Sequence, residues 1–308
     1  MSDGHARREK PSRYAFSTRG VRFGADDACR GLLYTPDRPT DPPVVVLAPG
    51  VGLPWRPTLE ATAERLADRG YAALAFDHRG FGNSGEGQLV SPARQRADLD
   101  AAIETARSAP EVDGNSLALW GMDLSAGTAL AAAAESAAVD AVIARFPVVD
   151  GATLLPKWVS PRLRGLATGV VDYPLSALGR LREVPAERRG KRVPLFGAAD
   201  AVTAIGADGA ATGARAAVGR DPGTTPARSL VKLQGHDVRG SVEELRSPIL
   251  FVAGEHDSIA PPDAVTALTE SVSAASLVQV PTDHYEPLSG GALERTLNHE
   301  LAFLDTEL

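Results

Sequence analysis

Cysteine is almost missing from this chain of 308 residues, where Cys29 stands alone. A single thiol excludes an intramolecular disulfide and any thiolate-rich metal site, and its expected state is a small, partly buried hydrophobe. A basic excess is missing too. The formal charge is -7, so the chain lacks the electrostatic footprint of a nucleic-acid or anionic-lipid binder. No apolar run approaches the length of a membrane span. The opening stretch MSDGHARREKPSRYAF has none of the hydrophobic core that a secretory signal needs. The expectation is a cytoplasmic protein. Its expected partners are a small-molecule substrate and, at most, a second copy of the chain as a homodimer, with no nucleic acid and no membrane.

What is present is an ordinary globular composition with 44% hydrophobic and 23% charged residues, enough to bury a full core. RYAFSTRGVRFG and ACRGLLYTP read as two short strands. Continuous apolar runs then recur: VVVLA at 44–48, YAALAF at 71–76, LALW at 117–120, AVIARF at 141–146, ILFVA at 249–253 and SLVQV at 276–280. Such runs are the signature of strands buried on both faces of a parallel sheet. Helical stretches lie between them. RPTLEATAERLADRG offers Thr58 as N-cap and Gly70 as a left-handed stop, and SPARQRADLDAAIETARSAP places Pro92 just inside its start. The alternation predicts an α/β fold with a mostly parallel, doubly wound sheet.

One interval breaks the pattern. Between about Gly151 and Arg246 nearly a hundred residues separate two strands, with helical patterns in PRLRGLATGVVDYPLSALGRL and GAADAVTAIGADGAATGARAAVG. A structureless loop of that length is improbable. The expected organisation is a core of residues 1–150 and 247–308, with a helical cap inserted at 151–246.

Parallel strands deliver side chains to their carboxyl ends, and ligands bind in the crevice outside those ends. Three ends carry chemistry here: Gly121-Met122-Asp123-Leu124-Ser125 after LALW, Glu255-His256-Asp257 after ILFVA, and Asp283-His284 after SLVQV. The order is nucleophile position, acid, histidine. With VVVLAPGVG, ERLADRGYAALAFDHRGFGNSG, GMDLSAG and SPILFVAGEHDSIAPP, the chain resembles the α/β-hydrolase superfamily. It is most similar to the capped branch of dienelactone hydrolases and X-Pro peptidase-like esterases. The likeness spans almost the whole chain and is weakest across 152–225. Two positions depart from the family pattern: Pro49-Gly50 replaces the usual His-Gly of the oxyanion loop, and Asp123 replaces the usual serine.

Ser125 is the alternative tip of the turn. The strained turn needs small flanks two residues either side; Gly121 and Ser125 meet that need for Asp123, whereas Asp123 itself would be a bulky flank for Ser125. A carboxylate tip changes the chemistry. Attack on an ester or amide carbonyl would give a high-energy anhydride, whereas attack on a tetrahedral carbon bearing a leaving group gives a hydrolysable alkyl ester.

Resemblance to the epoxide hydrolases and haloalkane dehalogenases, which also carry aspartate here, implies Asp123 as nucleophile, His284 as activator of water and Asp257 as its orienting acid. It implies the backbone N–H groups of Val51 and Leu124 as the oxyanion hole. Dehalogenases usually place tryptophan after the nucleophile and asparagine in the oxyanion loop, where this chain has Leu124 and Val51, so an epoxide is the favoured electrophile. Tyr173 and Tyr285 are candidate acids for its oxygen, and Trp55 and Trp158 candidate pocket walls.

The expected substrate is a bulky, polyketide-like molecule. The alternatives are a non-hydrolytic biosynthetic enzyme with Asp123 as acid or base, a serine esterase using Ser125, and a catalytically silent sensor. Asp150 is the reserve acid. His78 reads as part of a structural turn, and His256 and Asp283 as surface residues. His5, His236 and His299 show no metal spacing, and no metal or other cofactor is expected.

Overall fold

The computed structural model describes residues 14–85, 87–185 and 188–308. Residues 1–13, His5 among them, lie outside the described residues. The chain enters through strands β1 (Phe16–Phe23), β2 (Cys29–Pro36) and β3 (Pro43–Ala48). A short turn α1 (Trp55–Thr58) and helix α2 (Glu60–Asp68) lead to β4 (Ala72–Asp77), α3 (Pro92–Arg107) and β5 (Asp113–Met122). Helix α4 (Leu124–Glu135) and strand β6 (Ala141–Arg145) follow. The long interval then begins with α5 (Val159–Leu181) and the short strands β7 (Arg192–Pro194), β8 (Phe196–Gly197) and β9 (Ile205–Gly206). It continues with α6 (Ala210–Val218), β10 (Thr224–Pro226), α7 (Arg228–Gln234) and α8 (Arg239–Glu243). The chain closes with β11 (Ile249–Gly254), α9 (Pro262–Glu270), β12 (Ala275–Val280) and α10 (Gly290–Glu307).

The sheet order is β1-β2-β4-β3-β5-β6-β11-β12. The β1–β2 and β2–β4 pairs are antiparallel, and every pair from β4 to β12 is parallel. This is the doubly wound sheet that the apolar runs predict. Alternate residues of each strand feed two separate cores, because strand side chains point to opposite faces. Val45, Leu47, Ala73, Ala75, Trp120 and Ile143 pack under α2 and α10. Val44, Val46, Leu74, Phe76, Leu119 and Val142 pack under α3, α4 and α9. Cys29, at the start of β2, is fully buried, and burial first, then the charge of Asp98, pushes its thiol up to about 12.

Two local expectations are corrected. Thr58 is not an N-cap: its hydroxyl donates to the Pro54 carbonyl at 2.6 Å within a separate turn, and α2 starts after Leu59. The reason is long-range, since the buried Asp77 carboxylate accepts the Trp55 N–H at 2.8 Å and draws 55–58 into that turn. In GAADAVTAIGADGAATGARAAVG only α6 is helical; its first half forms β8 and β9, which pair in parallel. Among the described residues no helix is long and apolar enough to cross a membrane.

Candidate active site

Strand β5 runs out at Met122, helix α4 begins at Leu124, and Asp123 makes the turn between them with φ 59° and ψ -126°. A non-glycine residue there is strained, by a cost of order 1–3 kcal/mol, and persists only where its surroundings hold it. Here the Asp123 N–H donates to the Arg145 carbonyl at 3.0 Å, and its own carbonyl accepts from Val148 at 3.0 Å and Ala126 at 3.1 Å. The turn closes tightly enough that a β-carbon on Gly121 would lie 2.5 Å from the Ser125 carbonyl oxygen. The expected small flank at 121 is thus a steric requirement.

The chain order brings Asp123, His284 and Asp257 together. Asp257 Oδ2 lies 2.7 Å from His284 Nδ1, and Asp257 Oδ1 accepts the Ile259 and Ala260 N–H groups, both at 2.8 Å. Fixing Nδ1 aims Nε2 at the tip, 3.8 Å from Asp123 Oδ2. All three side chains are buried. Asp123 Oδ1 and His284 Nε2 have no hydrogen-bond partner among the described residues. Burial lowers the basicity of His284, but the charges of Asp257 and Asp123 outweigh it and carry the imidazole up to about 10. Burial also pushes the Asp123 carboxyl up, opposed by His284 and the Leu124 N–H. At neutral pH the imidazole of His284, set between the Asp257 and Asp123 side chains, is therefore protonated.

The oxyanion loop lies beside this pair. A β-carbon on Gly50 would be 3.8 Å from Asp123 Cβ, and the fully buried Val51 comes next. Leu124 opens α4, where unpaired N–H groups gather at the helix start. Leu195, from the long interval, packs onto Gly52, and Gly213 of α6 packs onto the Tyr285 ring. The interval therefore covers both the oxyanion loop and the histidine loop. Tyr285 stands with its ring 4.9 Å from the imidazole, its hydroxyl unpartnered among the described residues. Burial, then Asp123 and Asp257, hold its phenol well above the ordinary value, so it stays a donor.

Other expected positions fall elsewhere. Trp158 is 64% exposed at the start of α5, and Tyr173 is 42% exposed with Lys232 5.9 Å from its ring centroid. Neither contacts the Asp123–His284 pair. The cause is the rotation of α5: Asp172 and Ser176 face inward, which turns Tyr173 outward by about 100° from Asp172. Trp55 is buried edge-on against Tyr34, at 6.4 Å, as part of the core. Asp150 is no reserve partner for His284; it accepts the Ala152 N–H at 2.9 Å in its own turn. His256 and Asp283 are exposed, and Asp283 holds the histidine loop by accepting the Tyr285 and Glu286 N–H groups. His299 is exposed and His236 half-buried, and no cluster of His, Cys, Asp or Glu among the described residues could hold a metal ion.

Three residues beyond the sequence reading, Phe146, Asp77 and Asp98, complete the site. Phe146, itself at φ 50°, packs its ring 5.4 Å from His284. Asp77 ties the oxyanion loop, through Trp55, to the turn at Asn83. The Ser125 hydroxyl donates to the Pro49 carbonyl at 2.6 Å and lies 3.2 Å from His78 Nε2, while His78 Nδ1 lies 3.3 Å from Asp98. The signal for Asp98 was its place on the buried side of α3 with Gln95, Leu99 and Ala102.

A mostly parallel eight-stranded sheet, a strained strand-to-helix tip, and an acid and a histidine supplied by later strands define the α/β-hydrolase class. Within it the chain belongs to the hydrolase family described as serine aminopeptidase, S33, matched over residues 42–280. It is 30% identical over 294 residues to the quorum-quenching protein AidA of Acinetobacter baumannii (strain MDR-ZJ06), covering 92% of this chain and 93% of that protein. It is 35% identical over 121 residues to the thiohydrolase apmlB of Arthrinium phaeospermum, 38% of each chain. The crystal structure of the α/β hydrolase GrgF from Penicillium sp. sh18 superposes with a TM-score of 0.78 at 22% identity, covering 94% of this chain and 99% of that one.

Proposed function

We propose that this hydrolase opens an epoxide on a bulky small molecule, with Asp123 as nucleophile and residues 151–246 as the cap over the site. The observation that carries the reading is a buried carboxylate at the tip, facing a protonated His284 across 3.8 Å. Asp123 forms a bond to one epoxide carbon as the carbon–oxygen bond breaks. Tyr285 donates a hydrogen bond to the leaving oxygen, and His284 gives it a proton. The ester that results has no charge on Asp123, so one of the two anions that kept His284 protonated is gone. The neutral imidazole then takes a proton from water, and the hydroxide adds to the Asp123 carbonyl opposite the Val51 and Leu124 N–H groups. Collapse expels the diol oxygen, which regains the proton from His284, and the Asp123 carboxyl re-protonates the imidazole.

The bulky, polyketide-type substrate draws support from a relative named a polyketide transferase, grgF, 34% identical over 110 residues. A second reading has Asp123 and His284 act as acid and base on a carbonyl without a covalent step, including carbon–carbon bond formation or cyclisation. It is favoured by the ready-made ion pair and by relatives named quorum-quenching protein and thiohydrolase. The serine-esterase reading is set aside because the Ser125 hydroxyl is fully buried and points to Pro49 and His78.

His284→Gln separates the readings. Incubated with trans-stilbene oxide and weighed intact, it is expected to gain the mass of one probe on Asp123, because Tyr285 still assists ring opening while solvent protonates the leaving oxygen, and the second half-reaction lacks its base. No adduct, together with loss of turnover in Asp123→Asn, would replace the nucleophile by an acid–base role. Wild-type kcat/KM is expected to fall as pH rises through about 10, where His284 loses its proton. A rate that climbs over the same interval would contradict an imidazolium start.

A further inference from the structure

Away from the Asp123 pair, a cleft of about 820 Å³ opens between the loop after β4, the start of α3, and helices α5 and α7. Arg79, Arg94, Arg180, Arg189, Arg228 and Lys232 line it. Two of the six have carboxylate partners: Arg79 pairs with Asp98, and Arg228 with Asp172 at 2.8 Å. Arg189 donates to the Val184 carbonyl, and Lys232 faces the Tyr173 ring. Arg94, Arg180, Arg189 and Lys232 therefore have no carboxylate partner among the described residues. The Arg94 guanidinium is pushed below its ordinary value by burial and then by Arg79, Arg228 and Arg180, which is the expected result of crowding like charges.

We propose that this cleft is a binding site for a small organic diphosphate. Four cations in one concavity without a carboxylate partner among the described residues, on a chain of net charge -7, are costly unless an anion joins them. Five of the six are arginines, whose planar forks match phosphate oxygens two at a time. Helix α3, 16 residues long, starts here at Ser91 and Pro92 and turns its positive end toward the cleft. Gly85 and Gly87, both at positive φ, line the cleft without side chains of their own, so that a ligand can approach their backbone. The concavity suits a compact ligand rather than a nucleic-acid duplex, and the acidity of the rest of the chain opposes an extended polyanion.

Calorimetric titration with inorganic pyrophosphate at low salt is expected to show one saturable site, with orthophosphate weaker. Arg94→Ala/Arg180→Ala is expected to weaken pyrophosphate about tenfold or more. Arg164→Ala/Arg182→Ala removes the same charge from exposed positions outside the cleft and is expected to stay within about twofold. Should the first pair lose native circular dichroism, Arg94→Gln and Arg180→Gln, made singly, carry the same comparison. Absence of saturable heat up to ~10 mM, or equal weakening by both pairs, would overturn the site. Binding to phosphatidylglycerol vesicles that pyrophosphate does not displace would overturn it in favour of a membrane-facing surface. None of these substitutions touches Asp123 or His284, so this site and the epoxide reaction stand or fall separately.

Discussion

Asp123 and Ser125 are two residues apart on one turn, yet their side chains meet different neighbours. Asp123 faces His284, while Ser125 bonds to the carbonyl of Pro49, at the head of the oxyanion loop. Asp123→Asn is expected to lower kcat by about a thousandfold or more. Ser125→Ala is expected to keep kcat within about tenfold and to cost about 1 kcal/mol of stability, the worth of one hydrogen bond. Steady-state kinetics and urea unfolding of the two variants check this; a Ser125→Ala protein without turnover beside an active Asp123→Asn protein would reverse the roles. The grouping of Asp123, Asp257 and His284 could be read from the sequence because each follows the end of a buried parallel strand. Tyr173 could not, because a step of one residue around α5 decides whether a ring points toward Asp123 or away from it.

Elements buried on both faces announce themselves by apolar runs, which is why the central strands were legible. AVIARF concealed an exception. Arg145, in β6, is fully buried against Glu300 of α10 at 2.8 Å, with its guanidinium 4.7 Å from the Trp120 ring centroid. Glu300 also accepts the Trp120 indole N–H at 3.1 Å. Partners 155 positions apart leave no local pattern. Glu300→Ala strands a buried cation and is expected to cost about 3–5 kcal/mol by chemical denaturation; a loss below about 1 kcal/mol would show that water reaches Arg145. Helix α5 misleads in the opposite sense. It turns small residues inward, with Gly165 against Leu230 and Gly169 against the Ala227 carbonyl, and leaves Val159, Leu163, Val170 and Leu181 exposed. An amphipathic reading that assigns large apolar residues to the core therefore gets the face wrong.

For the whole molecule, composition averages hid as much as they revealed. A net charge of -7 argues against a general basic surface, but it gave no sign of the cleft, because its six cations come from five separate elements or loops that meet only on folding. Stability carries a related whole-molecule signature. His284 is held at about 10 in the folded protein, against about 6.5 in an unfolded chain. Between those values the folded state retains a proton that the unfolded state has released, so the stabilisation is complete below about pH 6.5 and is lost as pH rises toward 10. Thermal melts of wild type and His284→Gln are expected to differ most near pH 6 and to converge only above about pH 10. A gap that does not change with pH would show that the imidazole is neutral in the folded protein.

The solitary Cys29 has a practical consequence. With its sulfur sealed beneath β2 and held protonated to about pH 12, it is inert toward maleimides and other thiol reagents. A cysteine introduced at any exposed position would be the sole reactive handle on the native chain. Fluorophores or spin labels could then be attached one at a time, without first engineering a thiol-free background.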